Sequence, residues 1–134
     1  MDERDTPMIS VVDDDGSLRR ALRNLLTSAG FHVETFPSAE EFLRSAQREK
    51  VSGLVLDLRM NGMNGLDLLR HLSAEHSGIP VVVISAHSDE DTRRQSLEAG
   101  AIAFLEKPFL GDALLNALRT ALHGHGNDLS RRRI

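Results

Sequence analysis

Five times along the chain a short apolar run gives way to a segment with helical spacing, and that alternation leaves few folds available. The first run, residues 8–12, ends in Asp13, Asp14 and Asp15. A helix is predicted over 17–29, with Leu18, Ala21, Leu22, Leu25 and Leu26 at helical spacing and Gly30 where a left-handed stop is wanted. Residues 32–36 read as a second strand, and Ser38 with Glu41 forms a capping box for a second helix. The third strand is 53–57, followed by a glycine-rich loop and a helix marked by Leu66, Leu68, Leu69 and Leu72. The fourth, 80–85, carries four apolar residues in a row, as suits a central parallel strand covered on both faces. Ser88 and Asp91 form a second capping box for a helix that stops at Gly100. Residues 102–106 make the fifth strand, and Leu114, Leu115, Leu118 and Leu122 mark the last helix.

Five βα units in series imply an α/β fold, a doubly wound parallel sheet with helices on both faces. Right-handed crossovers and the size of the chain point to the flavodoxin-like (βα)5 arrangement with strand order 2-1-3-4-5. At 134 residues the chain is expected to form one domain. That domain is placed at 8–123, after a disordered segment 1–7 and before a flexible tail or linker stub 124–134 that lacks any period. The absence of cysteine excludes disulfides, zinc–thiolate sites, iron–sulfur clusters and cysteine nucleophiles. Sixteen Lys and Arg against twenty Asp and Glu, with few aromatics, argue against nucleic-acid binding by this chain or attraction to an anionic membrane. The cluster Arg131, Arg132 and Arg133 reads as a solvated tail. No apolar run approaches the ~20 residues of a membrane span and the polar start is no signal peptide, so a cytoplasmic location is expected.

In such a sheet, ligands bind beyond the carboxyl ends of the strands, at the switch point between strands 1 and 3. Strand 1 ends in Asp13 and Asp14, strand 3 in Asp57, strand 4 in Ser85, and Lys107 follows strand 5. Three carboxylates that close together raise at least one pKa unless a counter-charge is present. Mg²⁺ fits best, because it takes oxygen ligands and shares them with phosphate. Lys107 adds a point charge for an anion and Ser85 a hydroxyl. The set describes a phosphoryl-accepting site with Asp57 as nucleophile and the other groups neutralising what is transferred.

The segments VVDDD, LVLDLRMNGMNGLDLL, VVVISAHSD and FLEKPF, in this order and spacing, resemble the receiver domain of two-component response regulators over about residues 8–122. The wording DLRM, ISAH and EKPF is most similar to the FixJ-type branch, whose members often carry a C-terminal DNA-binding helix-turn-helix domain. The resemblance implies that Asp57 is the phosphoacceptor for a histidine kinase or phosphotransfer protein. It implies Mg²⁺ bound by Asp14, Asp57 and the backbone carbonyl of Arg59, with Asp13 acting through water. It implies that Lys107 holds a phosphoryl oxygen ahead of a cis bond to Pro108, and that Ser85 and Phe104 are the switch. Ala86 leaves the phosphate approachable, and Arg59 and His87 occupy rate-tuning positions. A signalling domain, not an enzyme, is implied, controlling a partner or an output domain, with transcription among the outputs. Homodimerisation through helices 1 and 5 or the helix 4 face is left open, as is whether the chain stands alone or was cut from a longer regulator. One departure is Asn61, where the family usually has proline; the Asn-Gly pair it creates predicts a more mobile loop.

Other classes compete. The stretch from Val11 to Leu18 resembles the opening motif of haloacid-dehalogenase-type phosphatases, which would make Asp13 the nucleophile and Asp15 the general acid. That reading leaves no room for a flap insertion after Ser17 and gives Asp57 no task; Asp15 is better read as a helix cap or solvated. A nucleotide or flavin module would need a glycine-rich phosphate loop where three acids stand. A degenerate receiver serving only as an interaction surface would not need all five pocket residues. Arg93 and Arg94 read as a solvated helix face, and the histidines show no metal-binding spacing.

Overall fold

The structure is a computed structural model that describes residues 6–132 apart from 61, 87 and 88, with side chains described to residue 123. Five parallel strands are ordered β2-β1-β3-β4-β5: β1 (Met8–Val12), β2 (His32–Phe36), β3 (Gly53–Asp57), β4 (Val81–Ser85) and β5 (Ala103–Glu106). The helices are α1 (Gly16–Ser28), α2 (Ala39–Arg44), α3 (Gly65–Ala74), α4 (Glu90–Glu98) and α5 (Gly111–Arg132). This is the doubly wound arrangement that the alternation of periods predicts. Successive strand residues point to opposite faces, so the core divides in two. Ile9, Val11, Val55, Val82 and Ile84 pack with Leu22, Leu26, Leu114 and Leu118 of α1 and α5. Val12, Leu54, Leu56, Val83 and Phe104 pack with Phe42, Leu68, Leu69 and Leu72 of α2 and α3. Every residue of β3 and β4 is buried, which is why those runs are apolar without alternation.

The helix ends follow local chemistry. Asp15 caps α1, its carboxylate accepting from the N–H groups of Ser17 and Leu18, and Gly30 takes φ +98° just beyond the helix. Ser38 Oγ accepts from Glu41 N at 3.1 Å, the first half of the expected capping box. At α4 the expectation needs correction: Asp89, not Ser88, is the cap, accepting from Thr92 N at 2.7 Å. Either residue type can cap, and the chain turns helical one position later; Ser88 itself lies outside the described residues. β4 begins at Val81, after Pro80, and β5 at Ala103, leaving Ile102 half exposed.

The described residues reach beyond the expected domain, 8–123, at both ends. Just ahead of β1, the Pro7 carbonyl accepts from His32 N at 3.0 Å, next to the Met8–His32 pair. Residues 1–5 lie outside the described part. The backbone of α5 runs to Arg132, where the loss of period predicted a loose tail from Gly124. Once a helix is nucleated on a packed face, each further residue adds a hydrogen bond, so it can outrun its apolar stripe.

Candidate phosphoacceptor site

The strand register works like a staircase. Val12 pairs with Leu56, Asp57 with Ile84 and Ser85 with Glu106, so the residues just past each pair fall at neighbouring places on one sheet edge. Asp13 therefore lies beside Asp57, and Lys107 one step beyond Ser85. The Lys107 N–H donates to the Ser85 carbonyl at 2.7 Å, fixing the turn from which the lysine reaches back. The Lys107–Pro108 peptide is cis, as the resemblance implies.

Asp13 is fully buried, Asp57 is 4% exposed and Asp14 is exposed. Carboxylate oxygens of all three lie within 4.8 Å of one another. Lys107 Nζ stands 3.2 Å from Asp13 Oδ2 and 3.5 Å from Asp57 Oδ2, bridging two acids that would otherwise face each other unscreened. The Arg59 N–H donates to Asp57 Oδ1 at 3.2 Å and the Asp15 N–H to Asp13 Oδ1 at 2.9 Å. Burial, and then the negative charge of Asp13, push the Asp57 carboxyl up to about 6; Lys107 and the Arg59 N–H pull the other way without winning. One ammonium does not neutralise three carboxylates. The deficit, in a cluster offering only oxygen donors, fits a hard divalent cation that takes carboxylates and phosphate oxygens together. These residues could hold such an ion.

Gly65 explains how the third strand is held in this geometry. It starts α3 hard against the end of β3: a Cβ there would sit 2.4 Å from the Asp57 carbonyl oxygen and 2.6 Å from Leu58 Cα. Both neighbours are backbone, so only glycine lets the helix begin so close to Asp57. Ser85 is buried at the end of β4, and Phe104 is 9% exposed, paired with Val83. Residues two apart share a face, so Ser85 and Phe104 lie on the same side of the sheet. Asp15 stays out of the acid cluster, its carboxylate spent on the α1 cap. Arg59 is exposed, while His87 and Asn61 lie outside the described residues. Sequence reasoning missed two residues. The Arg19 guanidinium donates to the Asp13 carbonyl at 2.7 Å, and Glu40 accepts from Met63 N at 2.8 Å. A six-residue step in a polar helix gives no cue to the first, and the 23-residue separation hides the second.

Residues 9–119 match the family described as response regulator receiver domain. The chain belongs to that family. Response regulator protein TodT of Pseudomonas putida is 41% identical to this receiver over 115 residues, 86% of this chain and 51% of TodT. Transcriptional regulatory protein FixJ of Bradyrhizobium diazoefficiens is 37% identical over 114 residues, 85% of this chain and 56% of FixJ. The solved structure of response regulator StyR superposes with a TM-score of 0.83 at 46% identity, covering 96% of this chain and 65% of that one. The receiver thus spans about half the length of the curated relatives it matches. Family membership removes the phosphatase reading built on Asp13 and Asp15. Among the described residues, no helix is long and apolar enough to cross a membrane.

Proposed function

We propose that this receiver takes a phosphoryl group onto Asp57 from the phosphohistidine of a sensor kinase or phosphotransfer protein and converts it into a change of binding surface. What carries the reading is the placement of one buried carboxylate, Asp57, within 4.8 Å of Asp13 and Asp14 and 3.5 Å from a lysine ammonium. An Asp57 carboxylate oxygen attacks phosphorus, the P–N bond breaks, and its electrons return to the donor imidazole. Asp14, Asp57 and the Arg59 carbonyl are the ligands we assign to Mg²⁺, with Asp13 holding it through water. When bound, the ion supplies the positive charge that three carboxylates and an incoming phosphoryl group lack.

Lys107 holds a phosphoryl oxygen and moves off the Asp13–Asp57 pair to do so. The Ser85 hydroxyl donates to another, and Phe104, on the same face, turns inward behind it. Arg59 and His87 set the rates of transfer and hydrolysis. The new charge biases a two-state equilibrium of the β4–α4–β5 face. We assign the readout to that face or to α1 and α5, through a second copy or a partner, in the cytoplasm. Transcription is the output we favour, since FixJ is by its own name a transcriptional regulatory protein.

The test is intact mass after incubation with Mg²⁺ and a small-molecule phosphodonor, beside Asp57→Asn and an EDTA sample. Gain of one phosphoryl group that both controls abolish supports the reading. No gain in folded wild-type protein overturns it in favour of a fixed interaction surface.

A further inference from the structure

The loop between β3 and α3 carries Arg59 past the acceptor and back to Gly65. Its two ends are pinned: Arg59 N donates to Asp57 Oδ1, and Gly65 N donates to the Leu58 carbonyl at 3.0 Å. Among the described residues between them, the hydrogen bond that holds the middle comes from elsewhere. Glu40, in the first turn of α2, accepts from Met63 N through Oε2 at 2.8 Å. The space is fitted to this contact. Gly62 lies at φ +78°, and a Cβ on it would fall 2.8 Å from the same Glu40 oxygen. The bond also lowers the Glu40 carboxyl below its ordinary range, so the anion is the form that engages the loop.

The topology gives the contact its reach. α2 follows β2 and the loop follows β3, the two strands that flank β1 in the sheet. The link between Glu40 and Met63 therefore joins the elements on either side of the strand that delivers Asp13 and Asp14. Met60 and Met63 pack against the α2–α3 half of the core, so releasing the bond frees a segment already seated at one edge. We propose that Glu40 is a positioning residue that latches the loop and so presents the Arg59 backbone to the Mg²⁺ site. This inference rests on the phosphoacceptor reading above for its consequence, but its two direct observables, loop order and Mg²⁺ affinity, do not depend on phosphorylation.

The experiment uses the whole chain as wild type, Glu40→Ala, Glu40→Gln and Glu41→Ala. Glu41 is an exposed neighbour of equal charge and controls for loss of an anion in this region. Three quantities are read: exchange of the Met63 amide, half-saturation by Mg²⁺ alone followed by amide NMR shifts, and the phosphorylation rate against Mg²⁺ concentration. Glu40→Ala should speed Met63 exchange and raise the Mg²⁺ half-saturation about tenfold, the low end for loss of a group supporting a metal ligand. Its maximal rate at saturating Mg²⁺ should stay within about twofold, because the latch acts on the site's assembly and touches no reacting atom. Glu40→Gln keeps an acceptor oxygen and should recover most of the affinity; Glu41→Ala should match wild type. Equal losses in Glu40→Ala and Glu41→Ala would overturn the proposal in favour of bulk charge. Unchanged Mg²⁺ affinity despite faster Met63 exchange would overturn it too. If wild type binds Mg²⁺ but gains no phosphoryl group, the phosphoacceptor reading fails, and the titrations still decide the latch.

Discussion

Replacing Asp57 with asparagine should stabilise this receiver in the absence of metal, and the gain should depend on pH. The Asp57 carboxyl rises from 3.8 to about 6 in the folded chain, because burial and the Asp13 charge both disfavour its anion. Below the unfolded value both states hold the proton and the site costs nothing. As pH climbs from there the unfolded chain ionises first, and above the folded value the native state has lost the whole difference. Two pKa units correspond to about 3 kcal/mol. Asparagine cannot ionise, yet its amide oxygen can still accept from the Arg59 N–H. The assay is urea unfolding followed by far-UV circular dichroism in EDTA, because the chain has no Trp or Tyr to report by fluorescence. Across about pH 4 to 8, the stability advantage of Asp57→Asn should grow from near zero to about 2–3 kcal/mol. Saturating Mg²⁺ should reverse the order at the upper end, by stabilising the wild type alone. An advantage that does not vary with pH, or a wild type that is the more stable at the upper end without metal, would refute the reasoning.

Three further outcomes are expected. Gly65→Ala drives a methyl into the Asp57 and Leu58 backbone and should cost about 2–4 kcal/mol in urea unfolding, with slower phosphorylation; a cost under about 1 kcal/mol would mean that α3 can start elsewhere. Asp15→Ala should remove about 1 kcal/mol of stability with the α1 cap and leave Mg²⁺ affinity unchanged, whereas a loss of affinity in the titration would make Asp15 a ligand after all. Lys107→Met removes the cation that now opposes the rise of Asp57, so carboxyl NMR should find Asp57 titrating above about 6. The same variant should be phosphorylated at least about tenfold more slowly, as followed by intact mass.

The period of the apolar residues made the five strands legible almost to the residue, from Met8 to Glu106. The polar residue at each strand end was equally plain, because strand 1 cannot spend three aspartates on packing. The cap at Asp15 and the stop at Gly30 depend on chemistry within one turn, and a linear reading reaches that far. The choice of Asp89 over Ser88 lay beyond it, since adjacent residues with equal capping ability are separated only by where β4 delivers the chain. In the sequence Gly65 is one more glycine of the loop before α3, and only the approach of the helix start to the Asp57 carbonyl makes it necessary. Arg19 on the Asp13 carbonyl and Glu40 on Met63 left no trace in local pattern. Periodicity records which face of a segment avoids water, a property of neighbours in sequence. The 3.2 Å approach of Lys107 to Asp13, across 94 residues, depends on how one strand is staggered against the next, and only the assembled sheet fixes that register.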